Sequence, residues 1–247
     1  MGIEKRVALV TGGGTGLGKA ITLHLARLGM DVAVNYSQSK KEAHETVDEV
    51  IKDGYEAMSV QADVSSSEQV YEMIEAVIQK FGRLDVVIAN AGTTVFRPFD
   101  DLEGVSEDDW DRIMNVNVKG VWLTAKAAAP YLKARKIGRL IITSSIAGSR
   151  PTGSSLPYSV SKAAVNHLTK GLAKALGPEI LVNAIAPGIL DTRWTKGHSE
   201  SMVQQFIKDS PLHKTPTIAD CVKQVDTLVE TDTMTGTITT IDSGASL

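Results

Sequence analysis

The most restrictive feature of this chain is an alternation that runs from one end to the other: short β-branched and apolar runs separated by longer amphipathic stretches. The runs are Val7 to Val10, Val32 to Val34, Ala57 to Val60, Leu84 to Ile88, Leu140 to Thr143, Val182 to Ile185 and Thr237 to Ile241. They are apolar throughout rather than at every second residue, which marks strands covered on both faces, the habit of a parallel sheet. Between them Lys41 to Asp53, Glu68 to Phe81, Trp110 to Leu132, Ser161 to Leu176 and Ile218 to Val229 read as helices. The pattern predicts an α/β fold, a doubly wound parallel sheet of about seven strands with helices on both faces. Ligands of such a sheet bind in the crevice beyond the carboxyl ends of the strands, so chemistry is expected in the loops that follow them.

Composition narrows the class. A chain of 247 residues fits one large domain with a sizeable core, and no linker, repeat or low-complexity segment divides it. The 26 basic and 29 acidic residues give a net charge of -3 and are interspersed, which disfavours nucleic acid and membrane surfaces as partners. Cys221 is the single cysteine, so no internal disulfide is possible. His24, His44, His167, His198 and His213 are scattered without metal-ligand spacing, and no metal is expected. A strand-like run begins at Val7 and no apolar stretch spans a bilayer, so a cytoplasmic protein is expected.

Directly after the first strand stand Thr11, Gly12, Gly13, Gly14, Thr15, Gly16, Leu17 and Gly18, followed by a helical pattern from Lys19 to Leu28. A strand, a glycine turn and a helix make an anion site: backbone N–H groups and the positive helix end face a pyrophosphate, and absent side chains let it approach. The spacing is Gly-x-x-x-Gly-x-Gly rather than Gly-x-Gly-x-x-Gly. A dinucleotide site usually selects its cofactor at the end of the second strand, where an acid grips the ribose hydroxyls of NAD and repels the extra phosphate of NADP. Here that strand ends in Asn35, Tyr36 and Ser37, with no acid before Glu42, which favours NADP over NAD. NAD stays possible.

Tyr158 and Lys162 lie four residues apart on one face of a helix-like segment. A free phenol holds its proton too tightly to exchange it readily at neutral pH, and an ammonium one turn away is expected to lower its pKa. By itself Tyr-x-x-x-Lys also describes many solvated helix faces. Ser144 and Ser145 follow the fifth strand, thirteen residues before the tyrosine, and would enter the same crevice. A hydroxyl there can donate to a substrate carbonyl while the phenol protonates the developing alkoxide. Ser159 and Lys162 also fit the Ser-x-x-Lys of penicillin-recognising enzymes, but Lys214 and Thr215 are followed by Pro216 and the companion motifs are absent.

With these residues in place, nearly the whole chain resembles the short-chain dehydrogenase/reductase family, especially members of the 3-oxoacyl-(acyl-carrier-protein) reductase and NADP-dependent carbonyl reductase kinds. The family's Thr-Gly-x-x-x-Gly-x-Gly turn matches residues 11 to 18, and its Asn-Ala-Gly matches Asn90, Ala91 and Gly92. The resemblance implies one Rossmann-like domain over residues 1–247 that both binds the dinucleotide and catalyses, with a substrate lid at 189–213. It implies a catalytic tetrad of Asn117, Ser145, Tyr158 and Lys162. It also implies cofactor contacts from Gly12, Gly14, Thr15, Gly16, Leu17, Gly18, Tyr36, Ser37, Asp63, Val64, Asn90, Ala91 and Gly92, from Tyr158 and Lys162, and from Pro187, Gly188, Leu190 and Thr192. Family members pass hydride between the nicotinamide and a carbonyl or secondary alcohol; Lys162 would hold the ribose hydroxyls, and Asn117 a water leading to solvent. Ala89 stands where many members have a second Asn, and Thr15 where many NADP users have Arg.

Two other readings compete. A catalytically inert NAD(P)-binding regulator or redox sensor would not need the tetrad, and an epimerase or dehydratase of the extended family would need more than the 60 residues that follow Pro187. The substrate walls are expected at Thr93 to Phe99 and Ser149 to Leu156, with Trp194, Met202 and Phe206 from the lid. Alanines 125, 127, 128 and 129 make a face flat enough either for a homo-oligomer, dimer or tetramer, or for packing inside the molecule.

Overall fold

The computed structural model describes residues 5–135, 138–192 and 200–247. Strands β1 (Val7–Val10), β2 (Asp31–Tyr36), β3 (Ala57–Gln61), β4 (Val86–Ala89), β5 (Gly138–Thr143), β6 (Ile180–Pro187) and β7 (Ile238–Ile241) form one parallel sheet in the order β3-β2-β1-β4-β5-β6-β7. The helices are α1 (Gly16–Arg27), α2 (Lys40–Lys52), α3 (Ser67–Phe81), α4 (Glu107–Met114), α5 (Gly120–Lys133), α6 (Leu156–Leu176), α7 (Glu200–Asp209) and α8 (Ile218–Glu230). One core joins the sheet to α3, α5 and α6 through residues such as Met73, Ala128 and Val165. A second joins the other face to α1 and α8 through Ile21, Leu25 and Val225. Each fully buried Leu, Ile or Met side chain contributes roughly 1.5–3 kcal/mol of transfer free energy. The strand order reverses between β1 and β4, and a crevice opens there.

Three elements differ from the sequence pattern. α6 starts at Leu156, five residues before the expected Ser161, because Ser155 caps it by accepting from the Tyr158 N–H and Pro157 sits in its first turn. The expected helix from Trp110 to Leu132 is three pieces: α4, capped by Ser106 with three acids in its first turn, a wider π-turn over Asn115–Lys119, and α5. The extra residue of a π-turn is invisible to a periodicity of 3.6. α7 lies inside the segment expected as a lid and shows no buried residue, so no core stripe marks it in the sequence.

The alanine face of α5 turns inward. Ala125, Ala127 and Ala128 are buried in the core against the sheet, and the small side chains let the helix approach it closely. What α5 presents to solvent instead is Trp122, with the Lys126 ammonium 5.2 Å from its ring centroid.

Asn35, 1% exposed, braces the edge of the crevice. Its carbonyl oxygen accepts from the Gly12 N–H at 3.2 Å, and its amide donates to the Ala62 carbonyl at 3.0 Å, tying the turn after β1 to the strands on its far side. Removing that side chain strands buried partners, each costing about 1–3 kcal/mol. Asn35→Ala should therefore lose about 2–4 kcal/mol in urea unfolding. A loss below about 0.5 kcal/mol would show that the brace is not needed.

Candidate active site

A cleft of about 1190 Å³ runs along the carboxyl ends of the strands. Its floor is the turn after β1. Gly12 and Gly16 adopt left-handed backbone with φ of 63° and 52°, a conformation glycine enters without penalty. A Cβ on Gly18 would lie 2.3 Å from the Gly12 carbonyl oxygen and 2.6 Å from Asn90 Nδ2. The turn is thus closed on itself as tightly as a backbone allows. α1 begins at Gly16, no acid occupies its first turn, and its N-cap Thr15 makes no side-chain capping bond. The amides at that end stay directed at whatever binds in the cleft.

Asn90, at the end of β4, is drawn into the frame. Its amide donates to the carbonyls of Thr11 at 3.0 Å and Gly12 at 3.3 Å, and its oxygen accepts from the Thr143 hydroxyl at 3.2 Å. The Thr11 hydroxyl accepts the N–H groups of Asn90 and Ala91 at 2.9 and 3.0 Å. Asp63 holds the loop after β3 by accepting the Ser65 N–H and hydroxyl at 2.9 and 2.7 Å.

At the other end of the cleft, Ser145 follows β5 in extended backbone and Tyr158 stands in the first turn of α6, and their hydroxyls are hydrogen-bonded to each other. Burial pushes the Tyr158 phenol up to about 12, and only the bond from Ser145 pulls against it. Lys162 sits one turn further on, 5% exposed, with its Nζ 5.6 Å from the Tyr158 ring centroid. It donates to the Thr143 carbonyl at 2.7 Å, and burial lowers its pKa to about 8. The expected lowering of the phenol by the ammonium is therefore not the dominant effect here. Loss of water around both groups outweighs their interaction, because desolvation always disfavours the charged form.

Asn117 lies on the π-turn, 1% exposed, and both of its amide protons are used: its Nδ2 donates to the Thr93 carbonyl and to the Ser161 hydroxyl, each at 3.0 Å. Its oxygen accepts the Thr93 N–H at 2.8 Å. The π-turn aims this side chain at α6 and at the loop after β4, so it braces the two elements that flank Tyr158.

All the residues expected to touch a cofactor line the cleft except Lys162, which is behind Tyr158, and of the expected tetrad only Ser145 and Tyr158 line it. The structure adds supporting contacts that no motif shows. Asn35 and Thr11 hold the glycine turn, Ser161 meets Asn117, and the Ser144 hydroxyl donates to Asn166 at 2.6 Å, fixing the loop that carries Ser145. Arg112 and Arg150 line the cleft as well. Their signal in the sequence is weak, since an arginine in a loop or on a helix face is ordinary. Met202 and Phe206 line the outer wall, whereas Trp194 and His198 lie outside the described residues. Among the described residues no group of three His, Cys, Asp or Glu side chains is arranged for a metal, and no helix is long and apolar enough to cross a membrane.

The fold and cleft define a class, the Rossmann-like α/β proteins with a glycine turn at the switch point of the sheet. Comparison with known proteins goes one step further. The family model described as short chain dehydrogenase matches residues 6–202. A 3-oxoacyl-(acyl-carrier-protein) reductase of Synechocystis is 36% identical over 98% of this chain and 97% of its own length. A hydroxynaphthalene reductase-like protein of Metarhizium guizhouense is 41% identical over 76% of this chain and 69% of its own. Among solved structures, a short chain dehydrogenase of Burkholderia cenocepacia in complex with NADP superposes with a TM-score of 0.89 at 34% identity, over 99% of this chain and 98% of that one. The chain belongs to the short-chain dehydrogenase family, oxidoreductases that act on carbonyl or alcohol groups.

The lowered Lys162 pKa has a signature in stability. Below pH 8 the amine is charged in both the folded and the unfolded chain, and the folded protein carries the full cost of burying it. Between about 8 and the unfolded value of 10.5 the unfolded chain binds more protons, so stability from this group rises with pH. The unfolding free energy of the wild type relative to Lys162→Met should gain about 2–4 kcal/mol between pH 7.5 and 10. A difference that stays flat over that range would show that Lys162 keeps an ordinary pKa.

Proposed function

We propose that this protein is an NADP(H)-dependent oxidoreductase that interconverts a carbonyl compound and a secondary alcohol, with Tyr158 as general acid and base. The observation that carries the reading is the hydrogen bond between the Ser145 and Tyr158 hydroxyls inside the cleft, with a buried ammonium one turn behind. The cleft also fits a dinucleotide. Its glycine turn leaves no room for a Cβ at Gly18, and the amides of α1 face the position of a pyrophosphate. Tyr36 and Ser37 at the end of β2 would hold the adenosine ribose, Asp63 and Val64 the adenine, and Pro187, Gly188, Leu190 and Thr192 the nicotinamide side. No carboxylate lies between Asn35 and Glu42 to repel a ribose phosphate, and the positive end of α2 begins at Lys40. The relative solved with NADP supports the same choice.

When bound, the nicotinamide supplies or accepts the hydride. The chain's own part is proton transfer and charge stabilisation. Ser145 donates to the substrate oxygen, and Tyr158 gives its proton to that oxygen as negative charge develops on it, or takes the proton in the oxidative direction. Lys162 uses one N–H on the Thr143 carbonyl, which leaves two for the ribose hydroxyls and for the Tyr158 oxygen. The side chain of Asn117 has no proton left to donate to a water.

Tyr158→Phe should lower kcat by about 10²–10⁴-fold with little change in cofactor affinity; more than a tenth of wild-type turnover would refute the assignment. Ser37→Asp places a carboxylate against the ribose phosphate, and should shift the ratio of kcat/KM for NADPH over NADH by about tenfold or more toward NADH. If the wild type already prefers NADH, the NADP reading fails.

A further inference from the structure

Among the described residues, Arg150 is a cation lining the cleft that pairs with no carboxylate. Arg150 stands in the loop that starts at Ser145, and its main-chain N–H donates to the Ile146 carbonyl at 3.0 Å, which folds the loop back toward the reacting hydroxyls. Its Nη1 donates to the main-chain carbonyl of Ala245, and both residues line the cleft. A carbonyl anchor fixes the guanidinium in place without cancelling its charge, and it uses one of five N–H donors. Among the described residues no carboxylate pairs with Arg150. Asp209 of α7 also lines the cleft; its carboxylate accepts from the Gln205 amide at 2.7 Å and forms no ion pair with Arg150.

The tail that supplies the anchor is itself fixed. The Asp242 carboxylate accepts the N–H groups of Gly244 at 2.9 Å and Ser246 at 2.7 Å, and the Gly188 N–H donates to the Ile241 carbonyl at 2.9 Å. The tail thus holds a fork of N–H donors in a cleft whose walls also include Leu190, Met202 and Phe206. Such a fork matches an anion with two or three oxygens, and it discriminates against neutral groups of the same shape.

We infer that Arg150 is a specificity-determining residue, and that the substrate is a ketone or secondary alcohol carrying an anionic group, a carboxylate or a phosphate, on the side of the carbonyl that faces the Ser145 loop. This rests on the oxidoreductase reading and deepens it. Arg150 would bind the anion in the ground state and the transition state alike, so it acts on substrate affinity more than on turnover.

The test pairs 4-oxopentanoate with its methyl ester and measures kcat/KM for both with NADPH. The wild type should prefer the acid by about tenfold or more, with the difference in KM. Arg150→Met should abolish that preference and leave the ester within about twofold, and Arg150→Lys should restore part of it. In the wild type, butyrate or propylphosphonate should inhibit reduction of the ester competitively and at least about tenfold more strongly than butyramide; this arm needs no variant to fold. Preference for the ester, equal losses on both substrates in Arg150→Met, or equal inhibition by butyramide would overturn the inference while leaving the oxidoreductase reading intact. Turnover of neither substrate, nor of a wider panel of ketones and alcohols, would instead defeat that reading.

Discussion

The whole site depends on how the turn after β1 is held at the point where the strand order reverses. A glycine-rich loop has little to fix it, since glycines bring no side chains and lose the most conformational entropy on ordering. Two asparagines, one buried and one half-buried, supply what the glycines lack. Asn35 reaches in from β2 and Asn90 from β4, and together they engage Thr11, Gly12, Ala62 and Thr143. Because Asn90 also accepts from Thr143, the position of the turn is coupled to the end of β5. The Thr143 carbonyl in turn holds the Lys162 ammonium. The floor of the cleft and the wall that carries Tyr158 are therefore parts of one hydrogen-bonded frame.

That frame also shapes the energetics of Tyr158. Burial leaves the phenol a poor acid, and the bond from Ser145 is what pulls against it. Ser145 is hydrogen-bonded to it, Lys162 is one turn away, and α6 directs its positive end at it from the first turn of a 21-residue helix. The early start of α6, at Leu156 rather than Ser161, is what puts Tyr158 in that first turn. Ser155 and Pro157 determine the start, so two residues with no chemical role decide the electrostatics of the one expected to transfer the proton.

Much of this is legible in the order of the amino acids. Apolar runs mark the parallel sheet and its strand count, since burial on both faces leaves a continuous run in the sequence. The glycine turn and the spacing of Ser145, Tyr158 and Lys162 are legible because local geometry ties them to strand ends and to one helix face. The π-turn is not, because one extra residue in a helix of 3.6-residue period leaves no compositional trace, yet it is what aims Asn117 at Ser161 and Thr93. In the sequence Asn35 reads as the end of a strand and Asn90 as part of a family motif. Their amides hold the fold together across 23 and 79 residues of chain, and a contact that distant has no local signature.

The two ends of the cleft differ in how far sequence can describe them, for a physical reason. The cofactor end is built from backbone: glycines, helix amides and strand ends, whose geometry the fold imposes on any chain with the same turn. The substrate end is built from side chains on the Ser145 loop, α7 and the C-terminal tail, each free to change without disturbing the sheet. Specificity is a difference of affinities, and it accumulates where side chains can vary at low cost to stability. Arg150 is of that kind. It is exposed, outside the core, and held by a single carbonyl, so its retention contributes little to the fold. The substrate end is therefore written in individual side chains and the cofactor end in the backbone.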